Sequence, residues 1–141
     1  MPKNFAGEIL KQINDELAKR ANNALKKDGL TFSQAGVILT LGEKQKEGMS
    51  IKELSRSICV AQPTMTGIID RLQEKGIVQS SSDRSDKRIR MVTLTGKGIR
   101  CLKNADENKR MAETQFFEGL TEEERDQLIT LLEKVRNNLV K

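Results

Sequence analysis

Between Ser50 and Gly98 this chain gathers side chains suited to one task, holding a polyanion. Arg84, Lys87, Arg88 and Arg90 fall within seven residues, on a glycine-free stretch between two strand-like segments. A guanidinium on such a hairpin tip suits a narrow A/T minor groove, where the negative potential is enhanced. Lys52 and Arg56 stand one helical turn apart, spaced as phosphate clamps that set register but read no sequence. Ser50 starts the same helix, and the free N–H groups of a helix start favour a phosphate. A second short helix opens with Gln62, Pro63, Thr64 and Thr66. Gln can bond adenine bidentately, and Thr can donate, accept or meet a thymine methyl. Gly67 makes no side-chain contact but lets the backbone come close to DNA.

Plainer readings stand beside these. Thr64 and Thr66 could be ordinary polar residues of a helix surface. Arg71 could reach a phosphate, or could join Asp70 in salt bridges that fix the hairpin. The hairpin tip could be a solvated charged loop. Against that, like charges clustered on a short hairpin are mildly destabilising without a partner.

The charge distribution favours the polyanion. The 141 residues carry 25 Lys+Arg and 20 Asp+Glu, a net charge of +5. Residues 50–100 hold ten of the basic and five of the acidic side chains, so the whole excess sits there. A focused positive patch is the electrostatic footprint of nucleic-acid binding. The same composition argues against other classes. There is no His, so the common nucleophile–base pairings are missing and catalysis is not expected. Glu122, Glu123, Glu124 and Asp126 fall in a helix's first turn, where the macrodipole explains them. No glycine-rich phosphate loop is present. Cys59 and Cys101 are distant from each other and do not make a tetrahedral metal site. Two cysteines are too few for a disulfide framework and suit a reducing cytosol, so a cytoplasmic protein is expected. The start, MPKNFAGEIL, has no long apolar segment. The nearly apolar run from Ala35 to Leu41 is far below the ~20 residues that span a bilayer.

The elements that must position these residues follow from periodicity and caps. Phe5, Ile9, Ile13, Leu17, Ala21 and Leu25 recur every four residues and predict a long helix over 4–27, ended by Asp28-Gly29. Thr31 and Gln34 form a capping box for a second helix, with Val37, Ile38 and Leu41 inward. Ser50 and Glu53 form another, with Met49 and Leu54 placed as a hydrophobic staple and Leu54 and Ile58 inward. Cys59-Val60-Ala61 makes a turn, and Pro63 fits the first turn of the next helix. There Met65, Ile68, Ile69 and Leu72 share one face, and Gly76 ends it. Residues 77–82 and 88–95 read as hairpin strands, with Val92 and Leu94 inward and 83–87 as the loop. A fifth helix is expected over 98–118, along Ile99, Leu102, Ala105, Ala112 and Phe116. Thr121 and Glu124 cap a last helix carrying Leu128, Leu131, Leu132, Val135 and Leu139. With no Trp or Tyr and four Phe, the core must be aliphatic. Two short helices followed by a basic hairpin are a winged helix-turn-helix, which offers a helix to the major groove and a cationic loop to the minor groove.

Three features together resemble the MarR family of bacterial transcriptional regulators. One is Gln62-Pro63-Thr64-Met65-Thr66 leading into Ile69-Asp70-Arg71-Leu72 and Lys75-Gly76-Ile77-Val78. The second is Asp86-Lys87-Arg88, which matches the family's Asp-basic-Arg wing motif. The third is Leu94-Thr95 followed by Gly98, which closes the wing and starts the next helix. The resemblance covers the whole chain. It implies a homodimer with intertwined terminal helices, bound to pseudo-palindromic operators and often released by a small ligand or by oxidation. It also implies that Arg88 is the minor-groove arginine, oriented by Asp86. Many relatives have Arg where this chain has Gly67, a departure that weakens guanine reading here. Peroxide-sensing relatives carry their reactive cysteine in the first helix, and this first helix has none. The family often binds aromatic carboxylates in a crevice between the dimer helices and the DNA-binding lobe. Lys11 and Arg100 are cations near it.

The expected fold is therefore α+β and mostly helical, a winged helix-turn-helix with long N- and C-terminal dimerisation helices. Residues 1–141 are expected to form a single domain. The DNA-binding lobe is 30–98, with dimerisation helices at 1–29 and 99–141. The expected function is sequence-specific binding of a double-stranded DNA operator by a homodimer, as a repressor. The candidate effector is an aromatic acid or drug-like compound; no cofactor, metal or membrane is expected. The expected DNA contacts are Ser50, Lys52, Arg56, Gln62, Pro63, Thr64, Thr66, Gly67, Arg71, Arg84, Asp86, Lys87 and Arg88. Two rivals remain: a winged-helix protein-interaction module, which has no need of four cations on a wing, and a thiol-based redox switch, which needs a low-pKa cysteine.

Overall fold

Several helices of this chain begin at side-chain caps or end at left-handed residues that satisfy orphaned backbone groups. The computed structural model describes residues 5–140. Helix α1 spans Ala6–Leu25; its expected start at Asn4 lies outside the described residues. It stops two residues short of the expected Lys27, because Lys26–Asp28 tightens into a 3₁₀ turn that Gly29 ends at φ 68°. Helix α2 spans Phe32–Gly42 with both halves of the Thr31–Gln34 capping box formed. Helix α3, Ile51–Ile58, carries the expected Ser50–Glu53 box. Helix α4 spans Gln62–Glu74 with Pro63 in its first turn. Its end is a Schellman motif: Gly76, at φ 75°, donates to the Gln73 carbonyl, and Ile77 donates to the Leu72 carbonyl.

That motif turns the chain into the sheet. Strands β1 (Met49–Ser50), β2 (Val78–Ser82) and β3 (Arg90–Leu94) pair antiparallel in the order β1-β3-β2. Met49 lies opposite Val92, and Ser80 lies opposite Val92 from the other side. Strand β1 was not expected: two residues are too short to show a period, and Ser50 serves as strand end and helix cap at once. The hairpin strands are also shorter than expected. Asp83 N–H bonds the Ile89 carbonyl beyond the last ladder pair, Ser82 with Arg90, which leaves 88 and 89 in the loop.

The predicted apolar positions meet in one core. Val37, Ile38, Leu41, Leu54, Met65, Ile69, Leu72 and Val92 are fully buried, joined by Met49, Ile77, Val78 and Leu94. Helix α5, Gly96–Phe116, begins two residues before the expected Gly98. The Thr95 hydroxyl explains the difference. It accepts from the Gly98 N–H while donating to the Gly76 and Ile77 carbonyls, so the helix opens directly after Thr95. Gly98 sits where a Cβ would fall 2.2 Å from the Ile77 carbonyl oxygen. The Leu94-Thr95…Gly98 signature is thus the joint that closes the wing.

The chain divides into two compact units, Met1–Lys109 and Arg110–Lys141, with the division inside α5. In the second, Phe116 and Phe117 meet edge to face at 4.9 Å, and Arg125 lies 4.8 Å over the Phe117 ring. Helix α6, Glu122–Leu139, has the expected Thr121–Glu124 box. The architecture is mostly helical, with a small β-wing and long flanking helices, as expected.

Candidate nucleic-acid interface

The turn between α3 and α4 sets what α4 presents. Cys59 takes the left-handed conformation at φ 60° and caps α3, and Val60 N–H bonds the Ser55 carbonyl. The chain then enters α4 through an extended Ala61 with no side-chain cap. Its first N–H groups are free of side-chain acceptors. Gln62, Pro63 and Thr64 are exposed there, and Thr66 and Gly67 are half-buried. Thr66 donates its hydroxyl to the Gln62 carbonyl at 3.0 Å, which leaves its oxygen lone pairs able to accept from a partner. A Cβ at Gly67 would meet nothing within 4 Å, so no packing demands glycine there.

Lys52 and Arg56 are exposed on α3 without an acidic partner among the described residues, and the neighbouring Glu53 is engaged by its capping box and by Lys44 at 3.9 Å. Ser50 accepts from the Glu53 N–H at 3.1 Å, so its hydroxyl is committed to the cap.

The wing tip is held by two carboxylates. Asp83 accepts from the Ser85 hydroxyl and from the Ser85 and Asp86 amides. Asp86 accepts a fork from Arg88, Nε to Oδ1 and Nη2 to Oδ2, both at 3.1 Å, and also the Arg88 amide. The Arg88 side chain is 90% exposed against 32% for Asp86. The pair therefore holds a guanidinium out in solvent on a fixed base. The fork, helped by the Arg88 amide, keeps the Asp86 carboxyl below the usual carboxylate range, and the same fork raises the guanidinium further. The Ser85 hydroxyl, helped by the Asp86 and Ser85 amides, does the same for Asp83. Arg84 and Lys87 are exposed beside them, without partners among the described residues.

Arg90 is the wing cation that sequence reasoning grouped with the others and the structure separates. It turns back onto the protein, with Nη1 on Asp70 at 3.0 Å, Nη2 on Gln73 at 3.0 Å and Nε on Ser80 at 2.9 Å. Asp70 thus does fix the wing, but its partner is Arg90; Arg71 is exposed and unpaired among the described residues. Lys75 and Lys97 are structural too. Lys75 bonds the Gly29 carbonyl and Gln34, and Lys97 bonds the Lys75 carbonyl. Spacing alone could not separate these cations from the rest; only the acceptors facing them do.

Cys59 is exposed in the turn and Cys101 is half-buried against the core. Among the described residues, no three His, Cys, Asp or Glu side chains cluster to hold a metal, and no helix is long and apolar enough to cross a membrane.

The sequence model of the MarR family matches residues 30–89, the segment that carries these features. The chain is also 30% identical over 132 residues to the HTH-type transcriptional regulator SarZ of Staphylococcus haemolyticus, covering 92% of this chain and 86% of that protein. The chain belongs to the MarR family. Members of the MarR family are DNA-binding transcriptional regulators and not enzymes. Solved structures share the fold of this MarR-family chain. The Staphylococcus aureus MepR–DNA complex matches with a TM-score of 0.90 at 20% identity, over 96% of this chain and 99% of that one. A probable transcriptional regulator from Pseudomonas aeruginosa matches at 0.83 and 28% identity, over 94% and 97%. Reduced MarR from E. coli matches at 0.83 and 24%, over 96% and 98%.

Proposed function

We propose that this MarR-family chain represses transcription by binding a pseudo-palindromic DNA operator as a homodimer. The observation that carries the proposal is the sorting of cations in the winged lobe. Arg90, Lys75 and Lys97 are held by protein acceptors. Lys52, Arg56, Arg71, Arg84 and Lys87 are exposed with none among the described residues, and Arg88 is held outward. Like charges left unpaired on one lobe repel, and a polyanion relieves that repulsion. In this assignment Gln62, Pro63 and Thr64 face base edges in the major groove, with Thr66 accepting and Gly67 leaving room for the backbone. Lys52, Arg56 and Arg71 take phosphates near the capped helix start at Ser50. Arg88 enters the minor groove on Asp86, flanked by Arg84 and Lys87.

The lobe in this assignment is 30–98, and segments 1–29 and 99–141 join two copies within one 141-residue domain. Supporting the dimer, Phe5 is 63% exposed, Leu131 59% and Leu139 79%. An obligate pair would bury about 2,000 Å² or more over such surfaces.

Selection of bound sequences from a random DNA pool tests the proposal. The expected product is an inverted repeat with half-sites about 10 bp apart, centre to centre. Affinity should fall with salt by about 0.9 in log–log slope for each phosphate neutralised. Enriched sites without two-fold symmetry, or a salt-independent affinity, would defeat it. The selected operator then serves to screen aromatic acids and drug-like compounds for release.

A further inference from the structure

Arg90 lies at the outer end of the β2–β3 ladder, opposite Ser82. It is joined to the C-terminal half of α4, twenty residues earlier in sequence, through Asp70. Three of its nitrogens meet three different acceptors on two elements: Asp70 and Gln73 of α4, and Ser80 of β2. The acceptors are themselves tied, since the Ser80 hydroxyl donates to Gln73 Oε1 at 2.7 Å. At its root the wing is already fixed by the Ile77–Leu72 and Thr95–Ile77 backbone bonds. Near its tip, this network is the hydrogen-bonded link to α4 found among the described residues. A planar guanidinium can serve all three acceptors at once; an ammonium keeps the charge but not the fork.

We propose that Arg90 is a positioning residue for DNA recognition, a brace that sets the angle between the recognition helix and the wing so that both grooves are engaged together. The inference rests on the operator reading given above. Arg90 itself contacts no DNA; it acts through Arg88, two residues away on the braced wing. Lost bracing leaves the wing free to swing about its root, and the ordering of the wing must then be supplied on binding.

Arg90→Lys and Asp70→Ala test this by opposing signs. Asp70 is a carboxylate on the DNA-facing lobe, so by charge alone its removal tightens binding to a polyanion. As half of a brace, its removal weakens binding. We expect both variants to bind the selected operator about tenfold more weakly, the scale of one lost contact. Both should lose preference for A/T-rich flanks, and Arg90→Lys should keep the wild-type salt slope because it keeps the charge. In the free protein, backbone order parameters of residues 83–89 should fall in both variants while the melting temperature stays near wild type. Unchanged wing order in both variants overturns the brace, whatever DNA does. Loosened wings with unchanged affinity overturn its role in recognition. So does Asp70→Ala binding more tightly while Arg90→Lys binds as wild type. A wild-type chain that selects no DNA would instead sink the operator reading, an outcome separate from the wing-order result.

Discussion

The winged lobe and helix α6 use their apolar residues in opposite ways. In the lobe, Leu41, Leu54, Met65, Ile69 and Leu72 are sealed from solvent by one another and by the sheet. In α6, no residue is buried, and Leu131, Leu132, Val135 and Leu139 are all exposed. Yet α6 is as well capped as any helix of the lobe. Caps and propensity fix where a helix starts; they do not stabilise an 18-residue helix by much in water, where such segments are marginal alone. Apolar side chains left exposed along much of a helix call for a partner surface, and under the dimer proposal a second copy of the chain supplies it.

Deleting residues 121–141 should have the largest effect. Under the dimer proposal it strips the partner surface, and the shortened chain should aggregate or fail to fold. A soluble, well-folded monomer in sedimentation would break the contrast, because the lobe would then stand alone.

Single truncations sharpen it. Leu54→Ala removes a fully buried side chain and should destabilise by about 2–5 kcal/mol. Its effect on melting should not depend on protein concentration relative to wild type. Leu132→Ala cuts a side chain that the single chain leaves 40% exposed. It should act through assembly, lowering the melting temperature more at nanomolar than at high micromolar concentration. If Leu132→Ala melts like wild type at every concentration, α6 is not the interface.

The same contrast decides what could be read without a structure. Every capping box was legible, because Thr31–Gln34, Ser50–Glu53 and Thr121–Glu124 are local patterns whose reason is local. The lobe's core was legible because its periods point to one interior. Strand β1 was not, since two residues carry no period. The start of α5 was misplaced because Gly98 looks like a helix signal, whereas the glycine is required by the Ile77 carbonyl and the cap is Thr95. At the candidate site, the clustered cations were legible by type and spacing, and the Asp86–Arg88 pair through the family's wing motif. The diversion of Arg90 was not. Its acceptors lie up to twenty residues away in sequence, and only folding brings Asp70 to face it.

Within the lobe, the solvent side can be divided by DNA binding. Arg88→Ala should weaken operator binding roughly ten- to a hundredfold and reduce the preference for A/T at the outer edges of the site. Lys52→Ala should weaken binding to every sequence and make the salt slope shallower by about one. Neither should alter melting, since both groups are exposed. Equal losses on A/T-rich and G/C-rich flanks for both variants would reduce Arg88 to an ordinary phosphate contact.

The smallest expected effect is the acid response of the wing. Asp86 accepts the Arg88 fork and Asp83 accepts the Ser85 hydroxyl, and both carboxyls are held below their usual range. A carboxyl with a lowered native pKa stabilises the folded form fully above the unfolded value, about 3.9, and that contribution fades as pH falls through the lower native value. The raised Arg88 value adds no dependence in this range, because the guanidinium stays charged throughout. Among the described residues, the core cluster contains no Asp or Glu side chain. Amides of residues 85–88 should therefore lose protection from hydrogen exchange as pH falls below about 4, before Leu54 and Ile69 do. The change should be modest, because both carboxylates lie on a solvated loop where ion pairs are screened. Asp86→Asn should remove the greater part of the response at Arg88 and leave that at Ser85. Wing amides that hold steady down to the global acid transition would mean that the tip is fixed by its backbone turn, with the two carboxylates contributing nothing to its order.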